Sequence, residues 1–281
     1  METSDHLGPP GSDGILELKL SKDQTTRYAR TIALPEVGVE GQERLCRGKV
    51  LIVGAGGLGS ASAVYLAASG VGTIGIVDSD CVTLDNLQRQ VLHRTADIGR
   101  LKTESARDTL NALNPEITVT VYPCRLTPEN AMELIGRHDF TIDATDNFAS
   151  KFLLADTCHF VSRPYSHAGV QGWSGQTITV LPGRTACCRC IFDAPQPERD
   201  PSLPPAGIIG VVPGILGSVQ AAEAVKFLLG TGALLTDALL LFDALNTRFR
   251  RVAVRRNPAC PLCGMEPSLF PVNRPRSSGK T

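Results

Sequence analysis

The sequence predicts an α/β fold: a Rossmann-like, doubly wound and mostly parallel sheet with an antiparallel extension. Two observations carry this prediction. Apolar, strand-like runs alternate with helix-like runs from Val50 to Phe160, and that order is typical of a parallel sheet covered by helices on both faces. Beyond that alternation, residues 165–170 and 175–181 form two strand-like runs with no helix between them. Such neighbours pair as an antiparallel addition to the sheet.

The first predicted strand runs straight into a glycine-rich turn. Residues 50–53 are apolar and lead into Gly54-x-Gly56-x-x-Gly59, with Gly57 inside the turn and a helix-like run directly after it. A second strand follows, and Asp78 stands about 20 residues beyond the turn, as in dinucleotide-binding units. Glycines let a backbone approach a phosphate, and a helix N-terminus offers free N–H groups to it. The alternative is a glycine turn that binds no ligand.

The other elements follow in order along the chain. The predicted helices are residues 23–30, 35–46, 60–69, 102–113, 128–137, 148–160 and 215–229. The predicted strands are residues 50–53, 73–77, 117–122, 140–142, 165–170, 175–181, 238–242 and 248–254. The last helix is strongly apolar, so we expect it to be buried, with a subunit contact as one place for it. In such sheets ligands bind at the carboxyl ends of the strands, which predicts that Gly54, Asp78 and Asp146 converge.

Composition limits the domain organisation and the class of function. We expect disordered tails at residues 1–22 and 266–281 around one domain at residues 23–265, with a long functional or mobile loop at residues 184–212. The formal net charge is zero and both signs are mixed along the chain, which argues against a general nucleic-acid or membrane surface role. No long uninterrupted apolar run or signal-peptide pattern is present. The prediction is a cytoplasmic protein.

Four of the nine cysteines form two Cys-x-x-Cys pairs, Cys187/Cys190 and Cys260/Cys263. Four thiolates suit a structural, tetrahedral Zn²⁺ site that clips two distant segments together. The pairs can also be redox dithiols, or Cys188 can replace Cys187 as a ligand. The remaining cysteines lie in or beside apolar segments and are expected in the core; they are Cys46, Cys81, Cys124 and Cys158.

Polar side chains follow the second strand: Asn86, Arg89 and Gln90, with Lys102 a short way on. Cations beside a phosphate-binding loop suit a triphosphate, because they neutralise charge during phosphoryl or nucleotidyl transfer. Asp146 is a candidate Mg²⁺ ligand. Asp143 and Asp146 can each instead cap the helix that follows. We find no hydride acceptor and no Ser/His/Asp triad, and the scattered histidines are expected to be structural.

The chain resembles the ThiF/MoeB/HesA family, the prokaryotic relatives of ubiquitin-activating enzymes. The resemblance covers about residues 27–264 and rests on motifs that appear in order. They are Arg27-Tyr28-x-Arg30, Gly54-Ala-Gly-Gly-Leu-Gly59, Asp78-x-Asp80, Asn86-Leu-Gln-Arg89-Gln90, Gly99-x-x-Lys102, Asp143-Ala-Thr-Asp146-Asn147, Pro213-Gly-x-x-Gly217 and both cysteine pairs.

This resemblance implies a reaction with ATP and Mg²⁺. A small β-grasp sulfur-carrier protein ending in Gly-Gly would be activated as an acyl-adenylate, with release of pyrophosphate, for the biosynthesis of molybdopterin, thiamine or another thio-metabolite. By match to the family, Asp78 would hold the ribose and Asn86 the nucleotide. Arg89 and Lys102 would stabilise phosphate charge, and Asp146 would bind Mg²⁺. Gln90 and Asn147 belong to the same nucleotide-binding motifs.

The resemblance also implies a homodimer, because Arg30 would reach the partner subunit's ATP site; from sequence alone, an exposed helix face is the simpler interpretation of that arginine. Three departures from the family matter. Thr31 stands where glutamine is common. No cysteine lies at residues 203–206, before the Gly207 run, so a covalent carrier intermediate there is not expected unless Cys188 substitutes. No rhodanese-like domain follows Gly264, so we expect sulfur from a separate donor protein.

Other functions remain open at this stage. The same fold can adenylate a peptide or a tRNA-modification substrate. An NAD(P)-dependent oxidoreductase and a non-catalytic binding relative are the alternatives outside that chemistry. Arg89, Lys102 and Asp146 favour adenylation, because a nicotinamide cofactor needs neither Mg²⁺ nor a cationic site for a γ-phosphate.

Overall fold

The computed structural model describes residues 19–192 and 207–269. Its helices are α1 (Lys22–Arg27), α2 (Ala29–Ile32), α3 (Gly38–Arg47), α4 (Gly57–Ala68), α5 (Lys102–Leu113), α6 (Pro128–Gly136), α7 (Phe148–Phe160), α8 (Cys188–Ile191) and α9 (Val211–Leu229). Its strands are β1 (Lys49–Val53), β2 (Thr73–Val77), β3 (Thr118–Tyr122), β4 (Phe140–Asp143), β5 (Tyr165–Gln171), β6 (Ser174–Val180), β7 (Ala238–Asp243) and β8 (Arg248–Ala253). Short 3₁₀ turns lie at Leu84–Asn86 and Thr95–Asp97.

The strands form one eight-stranded sheet in the order β3-β2-β1-β4-β5-β6-β7-β8. Strands β1 to β5 are parallel, and β6, β7 and β8 add on antiparallel. The predicted fold class is confirmed. Val53 of β1 pairs with Val77 of β2 and with Asp143 of β4. The carboxyl ends of three neighbouring strands therefore meet at one edge, where the predicted ligand residues follow.

The N-terminal helix predicted over residues 23–30 is two short helices that meet at Tyr28. This residue leaves helical geometry, with φ −98° and ψ 11°, because its ring is buried and reaches into the fold. Its hydroxyl accepts a hydrogen bond of 2.9 Å from Asn114 Nδ2. A Cβ at Gly70 would lie 2.5 Å from the ring. Anchoring of this one side chain therefore overrides the local helix propensity.

Two helices begin earlier than the sequence pattern predicts. Helix α4 begins at Gly57, inside the glycine turn, and α9 begins at Val211 rather than residue 215. Pro213 is tolerated in α9 because the first-turn N–H groups of a helix have no partner inside the helix.

The prediction that Cys81 lies in the core is wrong, because the residue is exposed after β2. Cys46 and Cys124 are half-buried, and Cys158 is buried.

The core lies in two layers on the two faces of the sheet. One layer includes residues of α3, α4, α5 and α9, and the other includes residues of α6 and α7 together with the paired cysteines.

Among the described helices, α9 is long and apolar enough to cross a membrane by length and composition. Half of the apolar stretch of α9 is buried inside the protein. The side chain of Gln220 in this helix donates from Nε2 to the backbone carbonyls of Asp143 and Ser166, at 3.0 Å each. These are the features of a core helix.

Candidate active site

The glycine turn after β1 has a backbone that only glycine fits well. Gly54 has φ +102°, which L-residues rarely adopt, and its N–H donates to Val77 O at 2.8 Å. A Cβ there would lie 2.6 Å from Ala144 O. A Cβ on Gly59 would lie 1.9 Å from Gly54 O, because the first turn of α4 packs directly on the loop. Gly57 similarly approaches Pro213 at the start of α9.

We expect Gly59→Ala to lower the free energy of unfolding by about 1–3 kcal/mol, because the helix must move away from the loop to admit a methyl group. The same movement should weaken nucleotide binding. Urea denaturation and a nucleotide titration by calorimetry measure the two effects. The matched control is Gly136→Ala at the end of α6, where a Cβ meets nothing within 4 Å. Wild-type stability and affinity in Gly59→Ala would contradict the packing argument.

Asp78 supports the glycine turn from the end of β2. Its Oδ2 accepts the Ala55 N–H at 2.8 Å, and its Oδ1 accepts the Asp80 N–H at 2.8 Å. Both bonds orient the carboxylate at the carboxyl edge of the sheet. A carboxylate offers about four acceptor sites, so the half-exposed side chain retains capacity for a hydroxyl group of a ligand.

The predicted cationic residues surround this turn. Lys102 opens α5 and is buried, and its Nζ lies 3.0 Å from Oδ2 of the exposed Asp80. Arg89 is half-buried and donates from Nη1 to Asp85 O at 3.1 Å. Gly57 would place a Cβ 3.4 Å from Arg89 O, so the segment that holds Arg89 lies against the turn. Asp80 is a residue to which sequence reasoning gave no role, although it holds Lys102 in place.

Gln90 and Asn86 complete this side of the site. Gln90 is buried, and its Oε1 has no hydrogen-bond partner among the described residues. A Cβ on Gly56 would lie 3.9 Å from Gln90 Nε2, so this amide faces the glycine turn. The Asn86 carbonyl accepts the N–H groups of Arg89 and Gln90, which fixes the short turn. An unpaired buried amide oxygen beside a glycine loop is a polar group that a bound ligand can satisfy.

Asp146 and Asn147 follow β4 at the same edge. Asp146 is exposed, and its Oδ1 has a single hydrogen bond in the described structure, a long one of 3.5 Å from Asn147 Nδ2. Asn147 is the N-cap of α7, and its Oδ1 accepts the Ser150 N–H at 2.8 Å. The predicted caps Asp143 and Asp146 are therefore wrong. Asp143 is the last residue of β4 and is fully buried, which places it before the helix entry.

Arg30 does not reach this edge within one chain. It lies on α2 and is exposed, and no described residue forms a hydrogen bond or ion pair with it. The neighbouring Tyr28 contacts Gly70 and Asn114. Gly70 and Asn114 precede β2 and β3, so α2 lies near the amino ends of the strands. The glycine turn lies at the opposite ends.

A buried charged cluster lies under the loop that carries Asp146. Asp143 Oδ2 bonds to His167 Nδ1 at 2.7 Å, and Lys151 Nζ lies 3.4 Å from both carboxylate oxygens. Asp143 Oδ1 also accepts the Thr145 N–H at 3.1 Å and the Thr145 hydroxyl at 2.6 Å. The four groups fix the start of the loop between β4 and α7.

The charges in this cluster shift the proton affinity of its members. Burial by itself would raise the pKa of Asp143, but Lys151 and then His167 and Thr145 hold it well below its usual range. Burial by itself would lower the pKa of His167. The neighbouring Cys188 and the Asp143 carboxylate outweigh that effect and raise the His167 pKa to about 9. The cluster therefore holds an ionised carboxylate between two basic groups.

We expect Asp143→Asn to cost about 3–5 kcal/mol of unfolding free energy, because it leaves two buried basic groups without their counter-charge. Denaturant unfolding at pH 7 measures this cost. The control is Glu133→Gln, which breaks an exposed ion pair with Arg137 and should cost less than about 1 kcal/mol. Since the Asp143 pKa is lowered, its contribution is present above pH ~4 and is lost as the pH falls below the ordinary aspartate value. Equal costs for the two substitutions would contradict a buried counter-charge.

The two cysteine pairs meet on the sheet face covered by α6 and α7. The Sγ atoms of Cys187, Cys190, Cys260 and Cys263 all lie within 4.8 Å of one another. Three Sγ–Sγ separations are 3.8, 3.6 and 3.4 Å, near the spacing of about 3.8 Å that tetrahedral Zn–S bonds of about 2.3 Å require. Backbone N–H groups of Asn257 and Cys263 donate to Cys190 and Cys260. The cluster can hold a metal ion, and Cys188 is not part of it.

A comparison with protein families places the chain among known sequences. The model of the ThiF family matches residues 28–262. The Thermus thermophilus "Sulfur carrier protein adenylyltransferase" is 45% identical over 257 residues, covering 89% of this chain and 95% of the relative. The Haloferax volcanii "SAMP-activating enzyme E1" is 43% identical, covering 89% and 92%. The Sus scrofa "Adenylyltransferase and sulfurtransferase MOCS3" is 43% identical, and the match covers 55% of its length.

Solved structures with the same architecture include that of E. coli MccB. It superposes with a TM-score of 0.77 at 25% sequence identity, covering 88% of this chain and 74% of MccB. A structure of MccB with ATP superposes with a TM-score of 0.74 at 25% identity, covering 84% and 74%. MccB therefore has a similar fold and has been crystallised with ATP.

Proposed function

Since this chain belongs to the ThiF family and is a nucleotidyltransferase of that family, we propose that it adenylates a small ubiquitin-like sulfur-carrier protein. The terminal Gly-Gly carboxylate of the carrier attacks the α-phosphate of ATP. An acyl-adenylate forms and pyrophosphate leaves. The activated carrier then serves sulfur incorporation in the biosynthesis of a cofactor or another thio-metabolite.

One observation carries this proposal: the exposed Asp146 carboxylate lies at the same sheet edge as the glycine turn and Lys102. A carboxylate beside phosphate oxygens is the usual environment of Mg²⁺, and an anion that attacks a phosphate needs fixed cations and alignment more than it needs a base. An NAD(P)-dependent oxidoreductase has no use for either group. We assign Mg²⁺ to Asp146, with Asn147 fixing the loop by capping α7.

The other residues take roles that their surroundings support. Asp78 accepts a ribose hydroxyl, since two backbone N–H groups fix the orientation of its carboxylate and its oxygens can accept further hydrogen bonds. Asn86 and Gln90 bind the nucleotide from the side of the turn. Arg89 and Lys102 neutralise phosphate charge. In the free protein Asp80 pairs with Lys102, which keeps the ammonium group at the site until a phosphate displaces that carboxylate.

The four clustered cysteines bind Zn²⁺ in this proposal. Closed four-sulfur coordination leaves no position for a substrate, so the ion is structural. It connects the segment after β6 with the segment after β8. The adenylation chemistry is assigned to the residues around Gly54 and Asp146 instead.

We propose a homodimer in which Arg30 completes the site of the partner. Arg30 is exposed and lies far from the glycine turn of its own chain. A groove of about 290 Å³ between α4 and α9 also opens on the surface beside the exposed Tyr65, and α9 packs against α4 in the core. A second copy that covers this face would explain both features.

Mixing two inactive variants tests the shared site. Arg30→Ala and Asp146→Ala are each expected to be inactive alone. After exchange of subunits, a mixed dimer has one site with both wild-type residues, so about a quarter of wild-type activity should return. No recovery in a mixture that demonstrably exchanges subunits would contradict a contribution of Arg30 in trans.

ATP–pyrophosphate exchange tests the function itself. The purified chain is assayed with candidate carriers ending in Gly-Gly, and each carrier without its last two residues is the matched control. Exchange that needs the intact carrier supports the proposal. Exchange with a peptide or tRNA-modification substrate instead would redirect it within the same chemistry, and nucleotide binding without exchange would favour a non-catalytic relative. A separate sulfur donor protein and a cytoplasmic location stay predictions.

A further inference from the structure

A buried histidine joins the glycine turn to helix α5. His93 lies in the segment between β2 and α5 and is 5% exposed. Its Nε2 lies 3.0 Å from the carbonyl oxygen of Ala55, inside the glycine turn. Its Nδ1 lies 2.9 Å from Oγ of Ser105, one turn after Lys102 in α5. The imidazole ring therefore contacts both the loop and the helix that carry the proposed nucleotide-binding residues.

The two contacts fix which ring nitrogen carries the proton. A backbone carbonyl can only accept a hydrogen bond, so Nε2 of His93 donates to Ala55. In the neutral ring, Nδ1 then accepts a hydrogen bond from the Ser105 hydroxyl. The ring is neutral at pH 7, because burial lowers the His93 pKa more than the Ala55 carbonyl raises it. His93 is thus a fixed donor that faces the glycine turn.

The backbone around His93 is itself held in place. The His93 N–H donates to Gln90 O at 3.0 Å. The carbonyl of Leu92 accepts a hydrogen bond of 3.0 Å from the hydroxyl of Thr109 in α5. Gln90, whose amide faces the glycine turn, lies in the same short turn as His93. The imidazole therefore has a rigid support from which it can hold the loop.

The peptide unit between Ala55 and Gly56 is the group that His93 holds. Its carbonyl points to the buried imidazole, and because the peptide is trans, the Gly56 N–H points the opposite way. Gly56 is half-buried, and its N–H has no acceptor among the described residues. The N–H of Ala55 is already bonded to Asp78. The Gly56 N–H is therefore a free donor directly before the first turn of α4, where an anion is favoured.

Glycine at position 56 makes this peptide unit easy to turn over. A flip changes ψ of Ala55 and φ of Gly56, and glycine adopts positive φ about as readily as negative φ. The flipped unit would present its carbonyl oxygen where the N–H now stands, and that oxygen would repel a phosphate. Because the flip would also break the hydrogen bond to His93, the histidine opposes it.

We propose that His93 is a positioning residue for ATP binding, which holds the Ala55 carbonyl so that the Gly56 N–H faces the phosphates of the nucleotide. His93 itself does not touch the nucleotide. The inference rests on the proposed function only in that the glycine turn binds ATP, and it does not depend on which acceptor is adenylated.

Two variants of the full chain separate the two contacts of the ring. His93→Gln keeps an amide N–H at about the reach of Nε2, whereas His93→Asn reaches only about as far as Nδ1 and loses Ala55. Calorimetric titration with ATP should give His93→Gln a Kd within about threefold of the wild type. His93→Asn should bind ATP about tenfold more weakly, the loss expected for one hydrogen bond. Thermal unfolding is recorded for both variants.

The tautomer is measured directly in the wild-type chain. A two-bond ¹H–¹⁵N correlation spectrum at pH 7 should show the His93 ring, assigned by its absence from the variants, with the proton on Nε2. A proton on Nδ1 would overturn the proposal, and this measurement stands even if a variant does not fold. Equal loss of ATP affinity in both variants would overturn it too, because that pattern indicates a packing role alone.

ATP–pyrophosphate exchange on the same preparations keeps this inference distinct from the proposed function. Carrier-dependent exchange in the wild type, with the same ATP affinity in all three chains, would overturn only the role of His93. Weaker ATP binding in His93→Asn alone, without carrier-dependent exchange in the wild type, would support that role and overturn carrier adenylation. A wild-type chain that binds no ATP would overturn both.

Discussion

Replacing Asp146 by alanine should reduce carrier-dependent ATP–pyrophosphate exchange by about 10²–10³-fold, because the Mg²⁺ ion that would neutralise the phosphates loses its protein ligand. The fold should not change. Asp146 is exposed, and its hydrogen bond to Asn147 is long, at 3.5 Å, whereas the cap of α7 comes from Asn147 itself. Exchange kinetics, thermal unfolding and the molecular mass in solution measure the two parts of the expectation separately.

The control for Asp146→Ala is Glu133→Ala, which removes an exposed carboxylate from α6. Its exchange rate should equal that of the wild type. A titration with Mg²⁺ sharpens the result, since raising the Mg²⁺ concentration should not restore the alanine variant fully. Wild-type exchange in Asp146→Ala would remove Asp146 from the proposed Mg²⁺ site and leave the ion to other ligands.

The second large effect concerns the four-cysteine cluster. Cys260→Ser should reduce the zinc content from about one ion per chain to near zero and lower the free energy of unfolding by about 3 kcal/mol or more, because binding at a structural zinc site is folding free energy. Cys187 and Cys260 are 73 residues apart in sequence, so the ion closes a long loop. Metal analysis and thermal unfolding, where the loss should appear as a fall of about 6–12 °C, measure the change.

Cys81→Ser is the matched control, since that thiol is exposed and lies outside the cluster. It should keep the metal and the wild-type melting temperature. A chelator that strips the wild-type chain should reproduce the instability of Cys260→Ser. A wild-type preparation that contains no metal and still melts where the zinc-loaded chain melts would refute the structural role.

The site was predictable from sequence where its parts are local. Glycine spacing after an apolar strand predicts the turn, because only glycine permits φ +102° at Gly54 and the contact of Gly59 with the backbone. The alternation of strands and helices predicts the parallel sheet, and a parallel sheet brings the residues after β1, β2 and β4 to one edge. Family resemblance supplied roles for Asp78, Lys102 and Asp146, and these roles remain proposals.

Local sequence patterns gave the wrong helix boundary, capping residue or burial where contacts with residues far along the chain determine them. The break at Tyr28 depends on Asn114 and Gly70, far along the chain. The sequence offers Asp143 and Asp146 as alternative caps of α7, because propensity cannot show that Asp143 is buried in β4 and that Asn147 is the N-cap. Cys81 was expected in the core from its apolar neighbours, yet it follows the end of a strand and is exposed.

By itself the sequence determined the fold class, the glycine-rich turn and the two Cys-x-x-Cys pairs, because backbone sterics, hydrophobic alternation and thiol spacing are properties of short segments. Only the tertiary structure decided that Asp80 holds Lys102 and that Arg30 lies away from the glycine turn of its own chain. It also brought Asp143, Lys151 and His167 together from three separate elements. Those relations depend on strand register and helix packing, which join residues that no local pattern connects.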